Sequence, residues 1–171
     1  MLLAAAILLT LQSPPSDEEA ATKVCETYFA AMKKGDFEAG ADCMHPKSLK
    51  KVHETFVNQL KNESEKVRNS QSVEWGFKDW GELMSVTDRA FFVRFLKKSG
   101  EMGQGADISA ALAKGETRTL GALKGGDKVY VVAEMTFTLA GEKQVVPLLN
   151  VLYRDGGRWK LANRNETNIG N

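Results

Sequence analysis

The chain is poor in the residue types that build metal centres and nucleophilic active sites. Its 171 residues include only two cysteines and two histidines. Cys25, Cys43 and His45 lack the paired spacing of a zinc site, and a fourth ligand is missing. The sequence also lacks a glycine-rich phosphate loop, a nucleophile elbow and a helical His-Glu pair. We therefore expect no bound metal and no cofactor.

An excess of charge of either sign is also missing. The chain carries 23 basic and 22 acidic residues, for a net charge of +1. A main partner such as nucleic acid or an acidic membrane surface would favour a basic chain, so we expect neither. Hydrophobic residues make up 43% of the chain, and no repeat or linker divides it. The length and composition therefore predict one globular domain with a substantial core.

The N-terminus carries a short apolar run. Residues 2–11 are apolar except for Thr10, and Ser13-Pro14-Pro15 follows directly. The run is too short to span a bilayer and resembles the apolar region of a signal peptide, although no basic residue precedes it. We predict a signal-peptide-like segment over 1–13 and a domain over 14–171 that is exported to the periplasm or secreted, with no transmembrane segment. The alternative is an apolar tail that is packed or disordered.

Local signals predict three helices at the start of the domain. The Ser16-Asp17-Glu18-Glu19 sequence is a capping box, which begins a first helix that ends at Lys33-Lys34-Gly35. Asp36 begins a short second helix that runs to about Met44. Pro46 begins a third helix, because proline is well tolerated in the first helical turn.

The middle of the chain gives weaker signals. Val73, Trp75 and Phe77 alternate with polar residues, which predicts a strand over 72–78. Residues 87–98 have the apolar spacing of a helix, and Asp107–Lys114 is the position of one more short helix.

The last third of the chain predicts an antiparallel sheet. A strand is expected over 117–123, followed by a three-stranded meander that ends near Asn163. Gly141 and the Gly156-Gly157 pair mark its two turns. Helices first and a meander last predict an α+β fold, with the N-terminal helices packed on a curved, mainly antiparallel sheet.

Both ends of the domain resemble a known superfamily. The helix with Tyr28-Phe29 and the Gly35-Asp36-Phe37 turn resemble the opening of the nuclear transport factor 2-like superfamily. The ending from Val151 to Leu161 resembles its last hairpin. This resemblance implies a cone-shaped fold with an apolar pocket and frequent dimerisation through the sheet. The superfamily contains isomerases, dehydratases, polyketide cyclases and binding modules, so it does not choose a function.

Candidate ligand-binding residues come from the predicted strand register. Two-residue turns would place Asn150 and Asn163 opposite each other on an otherwise apolar face that also carries Trp159. With Tyr28 of the first helix, these are the predicted ligand-binding residues. An amide can orient a ligand but cannot move protons at neutral pH. The alternative is that the two amides bond to each other or to nearby backbone.

Only weak catalytic candidates are present. His53 borders the apolar stripe of the third helix, where a histidine is usually structural. Glu134 lies on the other face of the sheet, where a cross-strand ion pair is the simpler interpretation. That face also carries Val145, Leu149 and Val151, an apolar patch that could serve a partner protein or a second copy of the chain.

The two cysteines predict a disulfide. Cys25 and Cys43 lie at equal distances on either side of Lys34, so a helical hairpin would bring them together. In an oxidising compartment, a bridge closing such a loop contributes roughly 3 kcal/mol. The alternative is two buried thiols.

The sequence thus favours a non-enzymatic exported domain that binds a small, mostly apolar ligand or acts as an envelope assembly module. One alternative is an isomerase- or dehydratase-type enzyme that uses His53 or Glu134 as its base. Another is a protein-recognition module that uses the open sheet face.

Overall fold

A computed structural model describes residues 14–102 and 114–162 of the chain. In these residues, helices precede a single antiparallel sheet that packs against the first helix, which confirms the predicted α+β class. The signal-peptide-like segment, most of the predicted 107–114 helix and Asn163 lie outside the described residues. The elements are α1 (Asp17–Lys34), α2 (Phe37–Cys43), α3 (Pro46–Leu60), α4 (Glu65–Glu74), α5 (Trp80–Ser85), α6 (Asp88–Glu101), β1 (Glu116–Gly125), β2 (Lys128–Leu139), β3 (Glu142–Asp155) and β4 (Arg158–Leu161).

Helix α1 has the ends that its sequence predicts. The Ser16 hydroxyl accepts the Glu19 amide at 3.1 Å, and the Glu19 carboxylate accepts the Ser16 amide at 2.9 Å, which completes the capping box. At the other end Gly35 adopts φ +70°, a left-handed conformation that glycine reaches without steric cost. Asp36 then accepts the Ala39 amide at 3.0 Å and begins α2 directly.

The sheet is a meander of four strands in the order β1-β2-β3-β4. Val131 lies opposite Asn150 and Val129 opposite Leu152, so the predicted register of β2 and β3 is confirmed. Leu161 lies opposite Leu152 in the next hairpin, also as predicted. We call the side of the sheet that faces α1 the inner face and the opposite side the outer face.

The main core lies between α1 and the inner face. Ala21 and Cys25 of α1 pack with Val129, Val131 and Leu152, and all five side chains are fully buried. We call this set the sheet core. The same face therefore holds the domain together and, further along the strands, forms the wall of a cavity.

The short strand β4 is covered along its outer edge. Met44 forms a parallel bridge with Leu161, and the His45 amide donates to the Leu161 carbonyl at 2.8 Å. Beyond β4, the Ala162 amide donates to the Val151 carbonyl at 2.8 Å. The α2–α3 connection thus acts as a short fifth partner for the sheet, and β4 is not left as an open edge.

The strand prediction over 72–78 is wrong. Residues up to Glu74 belong to helix α4, which is capped by Ser64 and begins at Glu65, and the chain then turns through Gly76 at φ +84°. The alternation has another cause. Trp75 follows the last residue of α4 and Phe77 lies in the turn before α5, and both pack into one cluster of apolar side chains between the helices. Val73 lies on α4 and is 58% exposed.

A second core lies among the helices, away from the sheet. Phe91 of α6 is fully buried at its centre, and Phe56, Trp75, Phe77 and Phe95 surround it. Phe77 and Phe91 stack with ring centroids 5.7 Å apart, and Trp75 stacks on Phe95 at 4.9 Å. We call these five rings the aromatic cluster. None of the helices among the described residues has the length and apolarity to cross a membrane.

Candidate ligand-binding cavity

A cavity with a volume of about 820 Å³ borders the described residues. It lies where the C-terminal turns of α1 and α6 meet the inner face of the sheet. This volume is within the range of known small-molecule sites, which are usually apolar clefts with a few placed polar groups. The cavity therefore has the volume of a small-molecule site.

The walls of the cavity are mainly apolar. Helices α1 and α2 and the residue that follows α2 contribute aromatic and methionine side chains, α6 contributes an aliphatic one, and the sheet contributes the rest. Thr117 of β1 and Met135 of β2 lie opposite each other on that wall. The apolar lining residues are Tyr28, Phe29, Met32, Phe37, Met44, Leu96, Met135, Leu161 and Ala162.

Asn150 is the polar group on the sheet wall that is most deeply buried. Its side chain is 5% exposed, and its Nδ2 donates to the Val131 carbonyl at 3.3 Å across the β2–β3 pair. The prediction that this amide bonds to nearby backbone is therefore met in part. A carboxamide carries two N–H donors and an acceptor oxygen, and the bond to Val131 uses one donor.

Lysines surround the mouth of the cavity. Lys33 and Lys34 end α1, and Lys97 lies near the end of α6, so three of the lining residues are lysines from the ends of two helices. The Lys33 Nζ donates to the Gly115 carbonyl at 2.9 Å. Among the described residues, Lys34 and Lys97 form no ion pair. Glu101 also lies at the mouth, where it pairs with Lys98 at 3.0 Å.

The predicted ligand-binding residues do not all meet. Tyr28 and Asn150 line the cavity, but Asn163 lies outside the described residues. Trp159 is elsewhere: its Nε1 donates to the Asp17 carboxylate at 3.3 Å and the Arg154 guanidinium lies 4.8 Å over its ring. Trp159 is 6% exposed and packs with the sheet core, beside two smaller cavities of about 360 and 430 Å³.

His53 lies in the helical half of the molecule and not at the cavity. Its Nδ1 is 2.8 Å from the Asp88 carboxylate and its Nε2 is 2.9 Å from the Leu83 carbonyl. Its ring stacks on Phe91 at 4.4 Å and is 7% exposed. A carbonyl only accepts, so Nε2 carries the hydrogen of that bond and has no lone pair to act as a base. This geometry is that of a structural histidine.

Glu134 is on the outer face. Its carboxylate lies 3.0 Å from the Arg118 guanidinium, directly opposite on β1, so the predicted cross-strand ion pair is present. The carboxylate is 29% exposed and Arg118 is 72% exposed, which limits the contribution of the pair to stability. Neither weak catalytic candidate lines the cavity.

The predicted Cys25–Cys43 disulfide is absent, because both cysteines are free buried thiols. Cys25 is part of the sheet core, where burial, followed by the nearby Cys43 and Glu26, raises the pKa of its thiol to about 12. Burial also raises the pKa of Cys43. The thiolate is the species that attacks in disulfide formation, so a raised thiol pKa works against formation of the bridge.

Several cavity residues were not predicted from the sequence. Leu96 and Lys97 were placed on a helix, but nothing in their spacing indicated that this helix ends beside α1. The Lys33-Lys34 pair was interpreted only as a helix end. A usable signal was Phe37, because an aromatic residue directly after the Gly35-Asp36 turn must pack back against α1 or the sheet.

Comparison with known proteins identifies no relative. No protein-family model, no curated protein and no solved structure gives a significant match to this chain. Within residues 14–102 and 114–162, no three His, Cys, Asp or Glu side chains are grouped as a metal site requires. The function must therefore be argued from the cavity itself.

Proposed function

We propose that this protein binds a small, mostly apolar ligand in the cavity between α1, α6 and the inner face of the sheet. The observation that carries this proposal is an apolar-walled space of about 820 Å³ with the buried amide of Asn150 on its wall. A domain that only needed stability would be more stable with such a space filled, because unfilled volume beside the core removes van der Waals contacts.

We favour binding over catalysis because of where the two catalytic candidates predicted from the sequence lie. His53 is held at both ring nitrogens and Glu134 is paired with Arg118, and both are away from the cavity. The alternative, an isomerase- or dehydratase-type enzyme, would need an acid or base beside the ligand. Turnover of a captured ligand by the purified protein would favour that alternative.

The test fills the cavity from its wall. Thr117→Trp places a large side chain into the cavity from an exposed position on the inner face of β1. Glu116→Trp is the matched control, since it adds the same ring at the next residue, on the outer face. Binding of the uncharged fluorescent probe N-phenyl-1-naphthylamine is measured for both folded variants. We expect loss of probe binding for Thr117→Trp alone.

Equal probe binding by both variants and the unchanged protein would contradict a site in this cavity. If only Thr117→Trp loses probe binding, native mass spectrometry of protein purified without detergent would add the identity of any retained ligand. Circular dichroism is recorded for each variant, so that loss of binding is not confused with loss of folding.

A second candidate function is protein recognition or assembly through the outer face. Leu123 is 70% exposed, Val145 54% and Leu149 55%, and Val132 lies directly opposite Leu149. These four form an apolar patch, whereas Val151, the third residue of the predicted patch, is 9% exposed and packs with Tyr153 and Ala162. A second copy of the chain is the simplest partner. Light scattering should show a dimer that Leu149→Asp converts to monomer.

We also propose that the chain is a divergent, exported member of the nuclear transport factor 2-like superfamily. Helices followed by an antiparallel meander, with a cavity on the inner face, support the superfamily assignment. The apolar run over 2–11 supports export. N-terminal sequencing of the protein from its native cell compartment tests export, since cleavage near Ser13 is expected.

A further inference from the structure

The mouth of the cavity concentrates positive charge. Lys33 and Lys34 reach it from α1 and Lys97 reaches it from α6, while Glu101 is the one acidic group among its described lining residues. Glu101 is also paired with Lys98. The whole chain is nearly neutral, so three lysines around one opening are a local feature and not a reflection of overall composition.

Lysines at helix C-termini have a structural explanation, because they compensate the partial negative charge of the last carbonyl groups. That explanation accounts for about half a charge per helix end. Three full positive charges exceed what the ends of α1 and α6 require. Lys33 donates to the Gly115 carbonyl, so Lys34 and Lys97 are the two of these three lysines that form neither a hydrogen bond nor an ion pair within the described part of the chain.

We propose that the ligand is an amphipathic anion, with its apolar body in the cavity and an acidic head group, such as a carboxylate, between Lys34 and Lys97. This inference rests on the proposed ligand-binding function and names the class of ligand. The apolar walls accept a chain or ring system, and the Asn150 amide at the sheet wall can hydrogen-bond a polar atom of the ligand. The exposed ammonium groups let the charged head remain partly hydrated, which avoids the desolvation cost of a buried ion.

The experiment compares ligands that differ only in head-group charge. Dodecanoate, dodecan-1-ol and dodecylamine compete with N-phenyl-1-naphthylamine at pH 8 and low salt, at concentrations below micelle formation. We expect dodecanoate to bind about tenfold more tightly than dodecan-1-ol and the amine to bind most weakly. Raised salt should weaken only the dodecanoate complex, because exposed charge pairs are screened.

Charge-removing variants locate the head group. Lys34→Gln and Lys97→Gln should each weaken dodecanoate binding by up to about fivefold, the range for an exposed ion pair. Neither should change dodecan-1-ol binding. Lys143→Gln is the matched control: it removes the same charge from an exposed position on β3 that does not line the cavity.

The outcomes separate the two proposals. Equal binding of dodecanoate and dodecan-1-ol, with no effect of either lysine variant, would overturn the anionic head group and leave the apolar site intact. An effect of Lys143→Gln equal to that of Lys34→Gln would also overturn it, because the attraction would then be non-specific. Failure of the folded protein to bind the probe or any of the three ligands would overturn the cavity as a binding site.

Discussion

Helix α6 borders both a closed region and an open one. Phe91 and Phe95 on one side of the helix belong to the aromatic cluster, where the rings stack. His53 stacks on Phe91 there and has an acceptor at each ring nitrogen. Leu96 and Lys97 on another side border a cavity of about 820 Å³. The same helix is thus packed tightly where no ligand could enter and loosely where one could. Stability and the proposed ligand binding therefore depend on different sides of one element.

The largest expected effect comes from breaking the closed region. Phe91→Ala should lower the free energy of unfolding by about 3–5 kcal/mol, because it removes the central ring of a fully packed cluster. Urea unfolding followed by circular dichroism measures it. Val73→Ala on α4 is the control, since an exposed side chain should change stability by less than about 0.5 kcal/mol. A cost for Phe91→Ala near that of the control would contradict the comparison.

The next effect concerns the polar group inside the closed region. His53→Leu leaves the Leu83 carbonyl and the Asp88 carboxylate without their partner, so we expect a cost of about 1–3 kcal/mol. Asp88→Asn keeps an acceptor oxygen near Nδ1 and should cost less. Equal stabilities for both variants and the unchanged protein would show that the histidine bonds contribute nothing net. Urea unfolding midpoints and slopes provide the values.

Truncation on the open side should cost less than truncation in the cluster. Met135→Ala removes a half-buried side chain that already borders the cavity, so we expect a loss of about 1 kcal/mol, well below that for Phe91→Ala. The variant enlarges the cavity while keeping its other walls. A loss as large as that for Phe91→Ala would mean that the two regions are packed alike. Parallel urea titrations of the two variants decide this.

The smallest effect is a pH dependence at the end of α1 that lies away from the cavity mouth. Hydrogen bonds from Lys124 and then Arg154 hold the pKa of Asp17 below its ordinary value of 3.8. A lowered carboxyl pKa stabilises the fold above that ordinary value, and the contribution is lost as pH falls through the folded pKa. Asp17→Asn should therefore flatten the dependence of the thermal midpoint on pH as the pH falls below about 4. A steep dependence that survives the substitution would contradict this assignment.

The parts of the fold that local signals determine were predicted from the sequence. Three features depend only on neighbours along the chain and can therefore be predicted without knowledge of tertiary contacts. They are the capping box at Ser16, the turn at Gly35 and the glycine-marked hairpins. The β2–β3 register followed from the short turn, which sets the pairing of every later residue. Helix α5 also carries a local signal, since Asp79 lies three residues before Glu82 and accepts its amide at 2.8 Å.

The errors and omissions concern contacts between distant segments. The alternating pattern at 72–78 predicts a strand, because alternation alone does not show that its aromatic residues pack into the aromatic cluster. The Cys25–Cys43 bridge assumed that neighbouring cysteines pair, whereas both sulfur atoms are buried as thiols. The lysine-lined mouth of the cavity depends on where α6 ends relative to α1. The spacing of residues along the chain does not predict the distance between these two helix ends. Half of the predicted site, Tyr28 and Asn150, still lines the cavity because both lie on elements whose faces were predictable.

The bridge between Met44 and Leu161 has a further consequence for how copies of the chain can join. With β4 covered, β1 is the one terminal strand of the described sheet whose backbone can still accept a strand from another molecule. That strand carries Arg118 and Lys124 and a register shift between Thr119 and Gly121, features that discourage edge-to-edge addition. A strand from another molecule can therefore add to the described sheet only at β1, and the basic residues and the register shift of β1 oppose that addition. Replacing those two basic residues would favour pairing of two copies through β1, and such pairing would stop at a dimer because each copy offers one open edge.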